Sequence, residues 1–292
     1  MGLRTKFNVV MLITFVLGLF TAGYLGREIL RENAKLEVLQ DARILLDAAL
    51  AIRNYTVSEI RPLLKQIETD EFLSQTVPAY AANANFRHLR QKHKEYSYKE
   101  ATLNPTNPEN KATDWETDII NYFRNNPEIK EYSGIRDTAL GKASSLFLSK
   151  PIKITNPKCL SCHSDPKLAP ASLLEKYGDS NGFGWKLNSI VGAQIVSVPM
   201  TYATSRADKA FESFIIMIFG IFISLWIMMN VLLYYVIVKP IRKISGTATE
   251  ISTGSIKGNS DITVKGKDEI SSLAKSFNRM SRSLANAIKM IE

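Results

Sequence analysis

Cysteine and histidine are scarce in this chain of 292 residues, which holds two of the first and three of the second. Both cysteines fall in one stretch, KPIKITNPKCLSCHSDPKLAP, from Lys150 to Pro170. The only disulfide on offer would link Cys159 to Cys162 and close a small, strained loop. Charge is missing from two long runs, FNVVMLITFVLGLFTAGY from Phe7 to Tyr24 and FIIMIFGIFISLWIMMNVLLYYVIV from Phe214 to Val238. Internal repeats and low-complexity segments are absent, and no nucleophile stands beside a base. That last absence removes the enzyme classes that would announce themselves by such a pairing.

A bilayer core takes about 20 apolar residues as helix, so the second uncharged run is long enough and the first just sufficient. Tyr24, Tyr234 and Tyr235 sit near the ends of the runs, where aromatic belts are expected. Arg4 and Lys6 ahead of the first run would suit a signal peptide. The apolar stretch is long for one, however, and Thr21-Ala22-Gly23 is a poor cleavage site, so an uncleaved anchor is expected. Lys239, Arg242 and Lys243 directly follow the second run and place the C-terminal tail in the cytoplasm. Two spans then put the N-terminus there too. The expected domains are a cytoplasmic N-terminus over 1–6, a transmembrane helix over 7–24 and an extracytoplasmic domain over 25–213. A second transmembrane helix over 214–238 and a cytoplasmic helical pair over 239–292 follow. The protein is expected in the inner (plasma) membrane, in contact with lipid. The formal charge of +9 raises nucleic acid as a partner. The basic residues are dispersed and carry no nucleic-acid motif, so a solvated surface is the better reading.

Between the spans a helical pattern from Leu25 to Thr56 places Leu36, Leu39, Ile44, Leu46 and Leu50 at near-helical spacing. Ala79 to Lys92 reads as a second helix, Asn104 to Asn110 as a loop, and Asp114 as the cap of a third helix reaching Asn125. Ser145–Leu148, Ile152–Ile154 and Val191–Val198 read as strands. Helices followed by strands suggest an α+β domain.

Cys159-Leu160-Ser161-Cys162-His163 is the attachment pattern of c-type haem. Two thiols add to the porphyrin vinyl groups, and the next residue, His163, lies beneath the ring as the proximal iron ligand. A thioredoxin-like redox pair would want a βαβ setting, and a zinc site would need a fourth protein ligand. One covalent haem c on Cys159 and Cys162, with His163 proximal, is therefore the expected cofactor. For the distal position the remaining side chains between the spans are His88, His93 and Met200. His93 shares a helical face with Phe86 and Leu89 and is the weak candidate; Met200 sits close to the second span. Phe147, Phe183 and Trp185 are candidate pocket walls.

The tail holds two seams. Ile241, Ile244, Ala248 and Ile251 form one, stopped by Gly254. Ile270, Leu273, Phe277, Met280, Leu284, Ala287 and Ile291 form the other, at alternating spacings of 3 and 4. Helices this short are marginal alone, so they should pair within the chain and with a second copy, giving a homodimeric parallel four-helix bundle. Pro240, Gly254, Asp268-Glu269 and Leu273-Ala-x-Ser-Phe-Asn278-x-Met280 resemble the HAMP signal-relay domain, with Ser271 where a glycine is expected. The segments LDAALAIRNYTVSEIRPLL, FLSQTVPAYAA, YSYKEATLNPTNPENKATDWE, CLSCH and GFGWKLNSIVGAQIVSVP resemble a family of bacterial sensory domains with covalent c-type haem and a PAS-like fold, from about Leu45 to Met200. The resemblance implies haem on Cys159 and Cys162 with His163 proximal. It also implies a sulfur ligand from the first helix, where this chain offers Leu46, Ala48 and Ala49. The expected function is a transmembrane sensor, not an enzyme, that registers redox state or a small gas. No kinase, cyclase or chemoreceptor module follows Glu292, so a separate cytoplasmic signalling protein is the expected output. The alternative is a membrane-anchored monohaem cytochrome for electron transfer, which leaves the relay-like tail without a use.

Overall fold

The structure is a computed structural model that describes residues 2–137, 144–253, 262 and 266–291. The chain divides into two compact units, Arg27–Ala210 and Met1–Gly26 with Phe211–Glu292. The helices are α1 (Leu3–Tyr55), α2 (Arg61–Leu64), α3 (Pro78–Lys92), α4 (Asp114–Asn125), α5 (Leu160–His163), α6 (Ala171–Tyr177), α7 (Thr201–Leu232), α8 (Lys239–Ser252) and α9 (Glu269–Ile291). The strands are β1 (Ser97–Thr102), β2 (Tyr132–Asp137), β3 (Ser144–Lys153) and β4 (Ile190–Pro199).

In the unit Arg27–Ala210 the four strands form one antiparallel sheet in the order β1-β4-β3-β2. Because side chains alternate along a strand, the sheet has two distinct faces, and helices cover both. On one face Tyr98, Leu146, Leu148, Val196 and Val198 meet α1, together with Ala82 and Phe86 of α3. On the other, Ala101, Phe147, Ala193 and Ile195 meet Ile119, Ile120 and Phe123 of α4. Helices on both faces of an antiparallel sheet make this unit α+β. Fully buried Leu46, Leu148 and Val196 each contribute roughly 1.5–3 kcal/mol of hydrophobic stabilisation.

The stripe that α1 buries differs from the expected leucine seam. It consists of Ala34, Val38, Ala42, Leu46 and Ala49, whereas Leu36 and Ile44 are 53% and 58% exposed. Spacings of four, four, four and three keep the stripe on one helical face, and alanines allow the backbone to approach the sheet closely. A search for large apolar residues passes over such a face.

Two strands escaped the sequence reading for physical reasons. β1 buries Glu100 and Thr102 as well as Tyr98, so it lacks apolar alternation. β2 is an edge strand, mostly exposed. β3 runs unbroken through Pro151, because β2 pairs only with Ser144–Ser149 and leaves the side of β3 at Pro151 without a neighbouring strand. The cap of α4 is Thr113 rather than Asp114, and it forms a capping box with Glu116. The Thr113 backbone N–H donates to Glu116 Oε2 at 2.8 Å, and Lys99 Nζ of β1 donates to the same oxygen at 2.8 Å.

Both π-helical segments, Thr56–Ile60 and Leu233–Val238, precede a proline. Pro62 and Pro240 lack an N–H and crowd the carbonyl four residues back. The register slips there, so Arg61 N–H bonds to the Thr56 carbonyl and Lys239 N–H to the Tyr234 carbonyl.

In the second unit the apolar parts of α1 and α7 pack together. Phe15 meets Phe222 edge-on at 4.2 Å, and Asn230 Nδ2 donates to Asn8 Oδ1 at 2.9 Å. A Cβ on Gly26 would lie 2.8 Å from the Phe214 ring, so glycine makes room for that ring. Val10, Leu12, Ile13, Val16, Leu17 and Phe20 face outward, as do Ile216, Met217, Ile227 and Met228. Both helices are long and apolar enough to cross a membrane, by length and composition. An apolar surface this extensive is not stable in water. Beyond them, α8 and α9 bury Ile244, Ile262 and Ala274, with Ile270 and Phe277 packed against that cluster. The Asn278 side chain bonds the Ile262 backbone twice, accepting from its N–H at 2.9 Å and donating to its carbonyl at 3.0 Å. Leu273 and Met280 of the expected seam are 50% and 62% exposed, and Leu284 is exposed too. Gly254 and the Ile291 side chain lie outside the described residues.

Candidate functional site

The Cys-x-x-Cys-His motif forms a single helical turn fixed at both ends by the same device. Asn156 accepts from the Lys158 N–H at 2.9 Å ahead of it, and Asp165 accepts from the Lys167 N–H at 2.9 Å after it. In each case an Asx residue precedes a proline, and the pair starts a short 3-10 turn. Cys159 immediately precedes α5, and Cys162 and His163 lie within it. Spacing of three residues brings the two cysteines to one side of the turn. Both are free thiols, half-buried.

His163 is held from several directions. Its Nδ1 lies 2.8 Å from the Gly182 carbonyl and 3.4 Å from Thr106 Oγ1. A carbonyl can only accept, so Nδ1 carries the proton and Nε2 keeps its lone pair. Burial lowers the pKa of the imidazole below its ordinary value, while the Gly182 bond works the other way. The ring is therefore neutral and able to ligate near neutral pH. Trp185 stacks on it, with centroids 4.0 Å apart and planes 12° from parallel.

The segment that carries Gly182 is itself tied down. Gly182 N–H donates to Asn104 Oδ1 at 3.1 Å, and Asn104 Nδ2 donates to the Phe183 carbonyl at 3.3 Å. Gly184 N–H bonds Ser164 and Trp185 N–H bonds His163, at 2.8 and 3.0 Å. Gly182 has φ +86°, and a Cβ there would lie 2.0 Å from Thr106 Oγ1. Only glycine satisfies both the conformation and the space.

A charged network lies nearby, on the sheet face that α1 covers. Arg53 of α1 donates to Glu100 of β1, and Tyr98 Oη donates to Glu100 Oε1 at 2.8 Å. Burial opposes the Arg53 charge, but Glu100 and Tyr98 outweigh it and raise the guanidinium pKa, and the field of Cys159 adds to this. Burial, then Glu100, push the Tyr98 phenol far above its ordinary range. This network was not legible in sequence, because Arg53 lies 47 residues from Glu100 and β1 does not read as a strand.

The other candidates fall elsewhere. His93 ends α3 with φ −124° and ψ 75°, and this departure from helical geometry turns it off the face of Phe86 and Leu89. Its side chain is 54% exposed and faces Glu95 and Tyr96. His88 is exposed. Met200 is buried in the core beside Val198 and Ala203. It follows the end of β4 opposite Gly192, about 26 Å away at 3.3 Å per residue, and Gly192 is the residue that pairs with Thr102 ahead of Asn104 and Thr106. Leu46 and Ala49 are buried in that core and Ala48 is exposed. Phe147 belongs to the α4-side core, against Trp115 and Tyr132. Of the expected pocket walls, Trp185 contacts His163 directly, and Phe183 touches its support through Asn104. Among the described residues no group of three or more His, Cys, Asp or Glu could hold a metal ion.

Comparison with known proteins gives two family matches. Residues 31–199 match the model described as Tll0287-like, and residues 232–286 match the HAMP domain. One solved structure, of the cyanobacterial heme-protein Tll0287, is similar at 18% identity with a TM-score of 0.42, covering 56% of this chain and 95% of that one. No curated protein matches.

Proposed function

Because the chain belongs to the Tll0287-like family and carries a HAMP domain after the matched region, we propose that it is a membrane sensor whose extracytoplasmic domain holds one covalent haem c. The observation that carries this reading is the helical turn itself. Cys159 and Cys162 offer free thiols with two residues between them, the spacing of the c-type haem attachment pattern, and His163 offers an open Nε2 while Gly182 fixes its Nδ1–H. A backbone acceptor on the second imidazole nitrogen is the usual support of an iron-ligating histidine. Haem bound there would supply redox and gas-binding chemistry through its iron. The chain's own part is to orient His163, to keep it neutral and to place the half-buried charge of Arg53 nearby.

The stimulus is a redox change or a small gas, and the surroundings favour the gas. Leu46 and Ala49, where the family resemblance looks for a distal ligand, are apolar and packed into the core; His93 points outward; Met200 is remote. An iron with an open coordination position fits these placements. The PAS-like architecture is supported by the antiparallel sheet with helices on both faces. The exposed Leu273, Met280 and Leu284 on α9 support a homodimer with a parallel four-helix bundle, because they continue the heptad seam beyond what α8 covers. The basic cluster Lys239, Arg242 and Lys243 supports a cytoplasmic HAMP domain, a two-pass inner-membrane topology and a periplasmic haem domain. The expected domain boundaries stand within this proposal, and the output is a separate cytoplasmic protein. HAMP also favours sensing over electron transfer, which needs no relay helices.

Absorption spectra of the full-length protein, ferric and ferrous, with and without carbon monoxide or nitric oxide, test this. High-spin ferrous iron that binds gas is expected. A low-spin spectrum indifferent to gas would overturn the gas reading in favour of redox sensing.

A further inference from the structure

The sheet face opposite α1 is only partly covered. At 1.5 Å per residue, the twelve residues of α4 reach about 18 Å, whereas the ten of β3 or β4 run about 33 Å. α4 places Ile119, Ile120 and Phe123 over the portion around Ala101, Ala193 and Ile195. Where its cover ends, the sheet carries small polar side chains. Ser97, Ser197 and Phe147 lie in one cross-strand row, and Ser145 begins the next.

These residues form the floor of a trough of about 320 Å³. Trp115, which follows the Asp114 that opens α4, makes one wall, and its position is fixed by the Thr113–Glu116 capping box and the Lys99 bond to Glu116. Arg136 lies over the Trp115 ring at 4.4 Å, so its guanidinium is held by stacking rather than by a carboxylate. Arg90, Lys94, Glu95 and Asp137 complete the rim. Three cations thus outnumber two carboxylates by one. Among the described residues the hydroxyls of Ser97, Ser145 and Ser197 have no hydrogen-bond partner, and Arg90 and Lys94 make no ion pair.

The chemistry of the trough is specific in kind. The indole offers an apolar surface, the hydroxyls offer donors at the floor, and the rim offers cations with an excess of one positive charge. We propose that this trough is a second ligand site, distinct from the Cys-x-x-Cys-His segment, for a small monoanionic aromatic carboxylate. The carboxylate would meet Arg136 and the rim cations, and the flat body would lie against Trp115. The volume is at the small end of ligand pockets, which limits the occupant to about one ring. The site does not depend on haem and would give the sensor domain an input independent of the iron.

Isothermal titration calorimetry on the full-length protein in nanodiscs tests this, with benzoate as the probe and benzyl alcohol and inorganic phosphate as controls. Saturable benzoate binding is expected, weakened at least tenfold by Arg136→Gln and more modestly by Lys94→Gln. Both positions are exposed, so neither variant threatens folding. Benzyl alcohol should not bind, and the absorption spectrum should not move. Absence of saturable benzoate binding would overturn the proposal, as would binding that ignores both substitutions. Phosphate binding as tight as benzoate would overturn it too, by showing a plain cationic surface. A benzoate-induced change in the iron spectrum would place the ligand at the haem instead and equally overturn a separate site.

Discussion

The segment from Asn156 to Trp185 and the helical pair α8–α9 are organised by opposite means. The first contains little regular structure beyond α5 and α6, yet its key histidine is held by a backbone carbonyl, a stacked indole and loop bonds from Asn104, Ser164 and His163 itself. The second is nearly all helix with strong heptad periodicity, yet it leaves half its seam uncovered at Leu273, Met280 and Leu284. A site that must hold one atom in place is built from many short-range constraints. A relay that must shift between packings is built from an interface that is incomplete within one chain, where a few kcal/mol separates alternatives.

The largest expected effect belongs to His163. His163→Ala should leave haem attached through the thiols but change the ferrous absorption spectrum, while His93→Ala should leave the spectrum unaltered. A spectrum that responds to His93 and not to His163 would reverse the roles given to the two histidines. Next comes the uncovered seam. The double substitution Met280→Asp and Leu284→Asp should weaken self-association at least a hundredfold in analytical ultracentrifugation, with the haem spectrum preserved. Unchanged association would mean that the exposed side chains face something other than a second copy.

Two smaller effects test the constraints around the motif. Arg53→Met leaves the buried Glu100 carboxylate without its cation, which costs on the order of 3 kcal/mol. Gly182→Ala combines a positive φ with a Cβ on top of Thr106, at a cost of about 3 kcal/mol. Denaturant unfolding followed by far-UV circular dichroism measures both. A change below the error of such curves at either position would show that the segment yields more easily than its bonds suggest. The smallest effect is at the relay. Asp268 Oδ1 accepts from the Ser271 N–H at 2.8 Å at the start of α9. The adjacent Ser271 hydroxyl and this backbone N–H hold its pKa below the ordinary carboxylate value. A depressed carboxylate stabilises the folded form above its ordinary pKa, and that contribution is lost as pH falls through the lower folded-state value. Asp268→Asn keeps a cap but should flatten this acid dependence in a thermal melt.

The parts readable in advance were those with a local signature. Cys159, Cys162 and His163 form a motif, α9 repeats every seven residues, and Thr113 to Glu116 spells a capping box. What was not readable depends on chain segments meeting in space. Gly182 acts through its carbonyl, which every residue has; the nearest sequence signal was the Gly-Phe-Gly spacing, whose glycines both adopt positive φ. Arg53 and Glu100 find each other across the α1–β1 contact, and β1 is hidden because its inward side chains are polar. Phe147 alternates onto the face away from α1, a placement that needs the register of β3 against β4.

Mass measurement on the denatured, acid-extracted chain, purified from a host able to attach c-type haem, addresses the central claim most directly. The predicted result is one haem retained per chain, and none when Cys159 and Cys162 are both replaced by serine. A haem-free wild-type chain, from cells that load a control cytochrome, would contradict a covalent haem sensor.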